Sequence, residues 1–280
     1  MSASHLDETG PERAAPSRNA SLKKGPRSLP LAVYSVAAVL GLLALWAAVT
    51  MSGMVGPAYL PTPQGMVTEF IGLVQDGYKN KPLWSHIQAS LMRTISGFCI
   101  GAAIGIPLGL LSGYNRIVGA VFSPIMAFVR PIPPIAFIPM AVLYFGLGET
   151  GKIVLILFTA FNYAFVNAHA GAAGVPMAYF RAAQSLGLSK SQTFFRVVVP
   201  AAVPQIFTGL KVALALSWAV VVAAELVGAQ AGLGFMIADA AQLFRIPVVF
   251  IGIALIGAIG LALNAMLTGA EDKLVHWKGR

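Results

Sequence analysis

Four ionisable side chains interrupt long apolar stretches of this 280-residue sequence: Arg93, Arg130, His169 and Glu225. Such groups are costly inside a membrane, so they usually face a water-filled cavity or a partner group. Arg93 and Glu225 carry opposite charges and can pair, although a place for Glu225 among the outer lipid headgroups fits its position equally well. His169 has no acid or second histidine near it in the sequence. That isolation favours a buried, hydrogen-bonded ring over a metal ligand.

One short motif suggests phosphate chemistry, and its last position argues against it. Residues 146–152 fit the phosphate-loop pattern G-x4-G-K, but Ile153 stands where a magnesium-binding Ser or Thr is required. The motifs of zinc proteases and of serine hydrolases, H-E-x-x-H and G-x-S-x-G, do not occur in the sequence. The single cysteine, Cys99, excludes an internal disulfide framework. The sequence therefore predicts no catalytic residue, no metal site and no cofactor bound by this chain.

The composition is that of a protein that crosses a membrane several times. The chain is 57% hydrophobic and only 10% charged, with a mean hydropathy of +0.77. Soluble domains carry about 25% charged residues. The net charge of +9 could indicate a nucleic-acid binder, but no basic stripe with interleaved aromatic residues is present. We therefore predict a polytopic membrane protein that does not bind nucleic acid.

Six apolar segments are long enough to cross a bilayer. The hydrocarbon core is about 30 Å thick and needs about 20 helical residues, because every backbone polar group must be satisfied within the segment. Prolines interrupt the third segment and favour a bent helix that lines a pore over a kink without a functional role. The fold class that we expect is all-α, with spans at about 29–51, 84–111, 118–145, 153–175, 206–227 and 247–268.

The distribution of basic residues predicts the orientation. With six spans and the N-terminus inside, 13 of the 19 Lys and Arg residues lie on the cytoplasmic side, four lie outside and two lie within spans. Because basic residues concentrate in cytoplasmic loops, both termini are expected to be cytoplasmic. Residues 1–28 are predicted to be a disordered cytoplasmic tail, and residues 29–280 form the transmembrane domain. Between Gly56 and Lys81, apolar residues at helical spacing predict an amphipathic helix at the outer interface.

The loop between the fourth and fifth spans, residues 176–205, predicts two short helices with a glycine corner. Ala182, Ala183 and Leu186 suit one face of the first helix, which Gly187 can end in a left-handed conformation. The second helix would begin after Ser189 and stop at Pro200. Periodicity alone is equally typical of an ordinary surface helix pair.

A longer pattern in this loop resembles a known family. Ala-Ala at 182–183, Gly187 and then Val-x-Val-Pro at 197–200 resemble the cytoplasmic loop of binding-protein-dependent ABC importer permeases. The family pattern is Glu-Ala-Ala, three residues, Gly, nine residues and Ile-x-Leu-Pro. The chain departs from it at Arg181, which stands at the glutamate position, so a salt bridge to the ATPase through that glutamate is not implied.

The likeness extends over about residues 85–280 and is nearest to the nitrate, sulfonate and taurine branch of the family. Three further stretches carry it: Ser90-Leu91-x-Arg93, Arg130-Pro131-x-Pro133-Pro134, and Ala224-Glu225-Leu226 followed by Gly232-Leu233-Gly234. The resemblance implies the type I importer fold, in the bacterial inner membrane. It implies the transport of a small sulfonate, first of all taurine, with nitrate and other alkanesulfonates as alternatives.

The resemblance also implies partners. These are a second copy of the chain, two cytoplasmic ATPase subunits that bind ATP and magnesium, a periplasmic solute-binding protein, and membrane lipid. Two other classes of membrane protein are alternatives. One is an ion-coupled secondary transporter, and the other is an intramembrane hydrolase, for which the sequence shows no paired acids and no Ser/His pair within the spans. The residues expected to couple to the ATPase are Arg181, Ala182, Ala183, Ser185, Leu186, Gly187, Ser189 and Pro200. The residues expected to line a pore or gate are Arg130, Pro131, Pro133, Pro134, Glu225, Gly232 and Gly234.

Overall fold

The computed structural model describes residues 31–56 and 59–275, so the predicted tail at 1–28 lies outside the described residues. Within these ranges the structure is helical, and its single β-bridge joins Tyr78 to Lys81. A first compact unit ends at Ala48 and contains most of α1, a charge-free apolar helix; the other helices belong to a second unit. The helices are α1 Leu31–Met51, α2 Pro63–Gln75, α3 Leu83–Tyr114, α4 Arg116–Val129, α5 Ile138–Phe145, α6 Glu149–Ala173, α7 Met177–Ser185, α8 Lys190–Thr193, α9 Val199–Leu226, α10 Leu233–Gln242 and α11 Ile246–Leu274.

Five of these helical segments in the described ranges are long and apolar enough to cross a membrane. They are α1, α3, α6, the continuous helix from Lys190 to Leu226, and α11. A sixth crossing is formed if α4 and the residues from Pro134 to Phe145 are counted as one broken span. The two halves of that segment meet at an angle of 84°.

The break in the third segment follows from its prolines. Helix α4 ends at Val129, and a 3₁₀ turn from Pro134 to Phe137 leads into α5. Proline lacks a backbone N–H and its ring clashes with the preceding turn, so consecutive prolines cannot continue an α-helix. The predicted bend is therefore confirmed, and it is sharper than a kink within one helix.

Small residues bring α3 and α6 into close contact. The Cα atoms of Gly97, Gly101, Gly105, Gly109 and Gly113 face α6 along one stripe of α3. A Cβ atom at Gly101 would lie 2.4 Å from the carbonyl oxygen of Leu157, and one at Gly109 would lie 2.4 Å from that of Phe165. Such stripes allow two backbones to approach in lipid. The stripe is therefore used for packing within the subunit.

The predicted stop at Pro200 is wrong. The helix that begins at Lys190 continues through a π-helical turn at Phe194–Val198 into α9, so the helix that contains the predicted fifth span begins well before residue 206. In the wider turn the N–H of Val199 bonds to the carbonyl of Phe194, five residues back. A turn of this width accommodates a residue without an N–H, which is why Pro200 does not end the helix.

Helix α2 is the amphipathic helix predicted between Gly56 and Lys81. The side chain of Thr62 accepts a hydrogen bond from the N–H of Gly65 and caps its N-terminus. Leu73 is buried against the bundle. The exposed apolar residues of α2 are Val67, Phe70, Ile71 and Val74.

Candidate functional site

Helices α3 and α6 run parallel, so their starts lie at one end of the bundle and their last turns lie at the other. Gly97 of α3 packs on Ile156 near the start of α6, and Gly113 packs on Ala172 near its end. Helix α6 has 25 residues and is therefore roughly 37 Å long. One end of the bundle holds a buried ionic cluster, and the other holds the segment with Gly187.

The ionic cluster is centred on Arg93 of α3. Its Nη1 atom donates to Oε1 of Glu225 at 2.6 Å and to the carbonyl oxygen of Ala231 at 2.8 Å. Its Nε and Nη2 atoms donate to the carboxylate of Glu149 at 2.5 and 2.7 Å. Arg93 is 4% exposed and Glu225 is 1% exposed. One guanidinium therefore joins α3 to the start of α6, the end of α9 and the loop that follows α9.

Glu225 in turn fixes the loop between α9 and α10. Its carboxylate accepts hydrogen bonds from the hydroxyl of Ser90 at 2.8 Å and from the N–H of Gly234 at 2.9 Å. Gly232 has a φ of +130°, and a Cβ atom there would lie 2.3 Å from the carboxyl carbon of Glu225. Only glycine allows both that conformation and that approach. The loop is thus closed over the carboxylate.

This geometry decides between the two interpretations of Glu225. The pairing with Arg93 is confirmed, and the place among lipid headgroups is wrong because the side chain is enclosed by protein. Glu225, Gly232 and Gly234 lie in one packed cluster, and their part in a gate stays a prediction. Sequence reasoning did not assign Ser90 or Glu149 to this cluster.

The phosphate-loop interpretation is excluded by the surroundings of its lysine. The Nζ atom of Lys152 donates to the carbonyl oxygens of Leu147 and Gly148, at 2.7 and 3.1 Å. Lys152 is buried and lies 3.8 Å from Glu149. It therefore caps the turn before α6 instead of facing a phosphate.

A second polar cluster joins the turn at 78–81 to α10. The hydroxyl of Tyr78 and the Nζ atom of Lys79 both donate to the carboxylate of Asp239 at 2.7 Å. Burial raises the pKa of the Tyr78 phenol above its ordinary value, and the bond to Asp239 adds to the rise. Burial alone would raise the pKa of the Asp239 carboxyl, but the bonds from Lys79 and Tyr78 outweigh it and hold that pKa below its usual range. His86 is buried beside them and contacts the carbonyl of Tyr78 at 3.2 Å.

The residues predicted to line a pore or gate lie in two separate parts of the structure. Arg130 is the C-cap of α4 and is exposed. Glu225, which belongs to the same prediction, is buried at the end of the bundle. Pro131, Pro133 and Pro134 form the bend that follows Arg130. His169 is partly buried, and its Nδ1 atom lies 3.0 Å from the hydroxyl of Ser112. The hydrogen-bonded ring expected for His169 is confirmed.

At the other end of the bundle, α7 and α8 meet at the predicted glycine corner, although α8 is the first turn of the long helix that continues to Leu226 and not a separate short helix. Gly187 has a φ of +70° and ends α7, as expected. The side chain of Ser189 caps α8, where it accepts a hydrogen bond from the N–H of Gln192. Tyr114 at the end of α3 donates to the carbonyl of Lys190 at 2.9 Å, and its ring lies on Phe180 and Phe194. The pair is therefore held on the bundle by aromatic contacts.

The surface of this pair differs in detail from the predicted one. Of the three residues assigned to one face of the first helix, only Ala183 is buried, whereas Ala182 is exposed and Leu186 is 79% exposed. Leu186 lies beyond the end of α7, where the helical periodicity no longer applies. The exposed members of the predicted coupling set are Arg181, Ala182, Ser185, Leu186, Gly187, Ser189 and Pro200.

Comparison with known families agrees with this fold. Residues 105–275 match the family described as binding-protein-dependent transport system inner membrane component. This chain belongs to that family: it is the permease subunit of an ABC importer. Its partners are ATPase subunits and a binding protein, and the ATPase activity resides in those separate subunits, so the chain is not an enzyme.

Three curated relatives cover nearly the whole chain. The taurine transport system permease protein TauC of Escherichia coli (strain K12) is 37% identical, over 88% of this chain and 90% of that protein. The putative aliphatic sulfonates transport permease protein SsuC of Bacillus subtilis (strain 168) is 33% identical, over 85% and 84%. The bicarbonate transport system permease protein CmpB of Synechococcus elongatus is 35% identical, over 94% of each chain.

A solved structure supports the same architecture. A chain of the MetNI methionine ABC transporter, in an inward-facing conformation, superposes with a TM-score of 0.59. The match covers 71% of this chain and 96% of that one, at 21% identity. The all-α permease fold expected from the sequence is confirmed.

Proposed function

We propose that this permease carries a small sulfonate, first of all taurine, across the bacterial inner membrane. The observation that carries the proposal is the 37% identity to the taurine permease over 88% of the chain. The relative named for aliphatic sulfonates supports the same solute class. Translocation requires no covalent chemistry on the solute, which agrees with the absence of catalytic motifs in the sequence.

We propose further that two copies of the chain form the translocation path and that each copy docks one ATPase subunit through α7, Gly187 and α8. This segment projects exposed apolar side chains, among them Met177 and Leu186, from one end of the bundle. A docked segment transmits force only if its contacts differ between the two states of the transporter. Closure of the ATPase pair would move the segment and shift the spans between inward-open and outward-open packing.

The proposed orientation places both termini and the Gly187 end in the cytoplasm. The excess of basic residues on that side supports it. The ionic cluster of Arg93 and Glu225 then lies on the periplasmic side, where the binding protein delivers the solute. The clamped loop between α9 and α10 would close the path on that side, and this loop is where we place the gate.

A second candidate solute is bicarbonate, because the bicarbonate permease matches 94% of the chain at 35% identity. Bicarbonate and sulfonates share a compact oxyanion group. They differ in size and in the amino group that taurine carries. The importer class is the same for both solutes.

Transport by the reconstituted complex tests the solute. The permease is purified with its ATPase and binding protein in liposomes, and ATP-dependent uptake of radiolabelled taurine is measured with and without unlabelled competitors. We expect taurine and other alkanesulfonates to compete, and bicarbonate and nitrate not to compete. ATP-dependent uptake of bicarbonate without taurine uptake would reject the sulfonate proposal and leave the importer class intact.

A further inference from the structure

Arg130 is an ionic group in the middle of an apolar segment. It ends α4 directly before the 84° bend, and its side chain is exposed. In the part of the chain that the structure describes, no carboxylate lies within ion-pair distance of its guanidinium. An arginine at this depth is costly against lipid, so it is expected to face water or a binding partner.

The guanidinium lines a groove between α4 and α6. Ser123 and Arg130 lie seven residues apart on one face of α4, and His169 faces them from α6, above the ring of Phe165. The groove has a volume of about 200 Å³, several times the roughly 30 Å³ that one water occupies in the liquid. No acidic residue lines it. The groove is therefore large enough for a small solute and carries positive charge.

The groove is rich in hydrogen-bond donors. Arginine presents its N–H groups in a planar fork that fits the oxygens of an oxyanion. When the hydroxyl of Ser112 donates to Nδ1 of His169, the imidazole proton sits on Nε2 and becomes available as a donor. The hydroxyl of Ser123 adds a third donor. This set matches a compact anion and does not match a cation.

We propose that Arg130, His169 and Ser123 form an intramembrane subsite that binds the oxyanion group of the transported solute. The inference rests on the proposed transport of a small anion and names the residues that receive it. His169 lies four residues before the end of α6, about one turn, so the subsite belongs to the half of the span nearer to Gly187. An anion released from the periplasmic side would meet this charge before it leaves toward the cytoplasm.

A lipid phosphate has the same chemistry as the solute head group, so the test must separate the two sources. The full complex, with Cys99 replaced by serine, carries Ala127→Cys as a reporter in the groove, and Val166→Cys serves as a second reporter from α6. The complex is placed in nanodiscs of phosphatidylcholine alone or with phosphatidylglycerol. The rate of thiol labelling by a water-soluble maleimide is then measured with taurine, methanesulfonate, bicarbonate or the uncharged analogue dimethyl sulfone.

We expect the transported anion to slow labelling several-fold in phosphatidylcholine, and dimethyl sulfone to have no effect. Arg130→Gln should abolish the protection. Arg116→Gln, an exposed arginine on the same helix that does not line the groove, should retain it. Thermal stability and ATPase binding of each variant are measured alongside, so that a misfolded variant is recognised.

Each other outcome overturns the subsite. If labelling of the reporter thiol is slowed only in nanodiscs that contain phosphatidylglycerol, the groove binds a lipid headgroup and not the solute. A reporter thiol that is never labelled rejects an aqueous groove, and protection that persists in Arg130→Gln rejects the arginine. If some anion is taken up with ATP but no anion protects the reporter, the subsite is wrong while the transport function stands. If no anion is taken up at all, the proposed function fails first.

Discussion

The Nη1 atom of Arg93 lies 2.6 Å from Oε1 of Glu225, although 132 positions separate the two residues in the sequence. Both side chains are enclosed, with 5% and 0% of their surfaces exposed. Removing one member of a buried ion pair leaves an uncompensated charge, whereas replacing both members by apolar residues can be neutral. The pair therefore has different expected effects in single and double variants.

Glu225→Leu should destabilise the permease by about 3 kcal/mol, at the low end of the usual range for a broken buried pair. The loss stays at the low end because Glu149 still accepts hydrogen bonds from Arg93. The measurement is thermal unfolding of the detergent-solubilised permease. The double variant Arg93→Met/Glu225→Leu should be more stable than Glu225→Leu. Asp272→Asn, on an exposed residue, is the matched control, and a loss of equal size in that control would contradict a specific role of the pair.

Gly101→Ala should separate α3 from α6, because the added Cβ atom would lie 2.4 Å from the carbonyl oxygen of Leu157 and 2.8 Å from the Cβ atom of Ala160. Overpacking of this kind costs about 1–3 kcal/mol. We expect a lower unfolding temperature and a larger fraction of aggregated protein on gel filtration.

The control for this variant is Gly257→Ala, which lies within α11 with no atom within 4 Å of the added Cβ. Alanine is a better helix former than glycine by up to about 1 kcal/mol. Gly257→Ala should therefore match or exceed the stability of the parent. Equal behaviour of the two variants would mean that the glycine stripe does not set the distance between α3 and α6.

Local sequence signals were sufficient for most of the architecture. Apolar length located the long helices, the prolines at 131–134 located the bend, and Gly187 located the corner between α7 and α8. Each of these features depends on the chemistry of a few adjacent residues. The amphipathic pattern that predicted α2 is likewise a local signal.

The features that the sequence did not reveal depend on contacts between distant residues or on a helix that continues past a proline. Ser90 contacts Glu225, and Glu149 contacts Arg93, only after the bundle has formed, and no local pattern indicates these contacts. Pro200 carried a strong local signal, and the signal misled because the π-helical turn before it accommodates the proline.

Acidification should weaken the attachment of the turn at 78–81 to α10. The pKa of Asp239 is lower in the folded protein than its ordinary value of 3.8, so the folded state binds fewer protons than the unfolded state below about pH 5. The stability that the carboxylate contributes is fully present above that range and is lost as the pH falls through the lowered pKa. Tyr78 has a raised pKa and keeps its proton throughout, so it still donates at neutral pH.

The measurement for this prediction is the unfolding temperature of the purified permease between pH 7 and pH 3. The parent should lose more stability over this interval than Asp239→Asn, which has no charge at this position to lose. Parallel curves for the two proteins would contradict the assignment. A smaller loss of stability in the parent than in Asp239→Asn would give the contribution of the Asp239 carboxylate the opposite sign and would also contradict the assignment.

Gly187→Ala tests whether the corner between α7 and α8 couples transport to ATP hydrolysis. Gly187 has a φ of +70°, and no atom lies within 4 Å of a Cβ placed there. Alanine therefore meets no clash but disfavours the left-handed conformation by about 1–2 kcal/mol. We expect normal membrane insertion and normal ATPase binding, with solute uptake reduced several-fold because the corner no longer holds α8 in one orientation relative to α7. Gly187→Asn should restore much of the uptake, since asparagine tolerates this conformation.

Gly53 provides a matched control for Gly187, because its φ is +74° and it likewise has no atom within 4 Å of an added Cβ. Gly53→Ala introduces the same backbone strain in the segment between α1 and α2, far from Gly187 in the sequence. ATP-dependent uptake and ATPase rate are measured for both variants in proteoliposomes. We expect Gly53→Ala to transport like the parent, and Gly187→Ala to hydrolyse ATP with little uptake. If both variants lose uptake equally, or if Gly187→Ala transports normally, the corner at Gly187 is a surface turn and the coupling contact lies elsewhere.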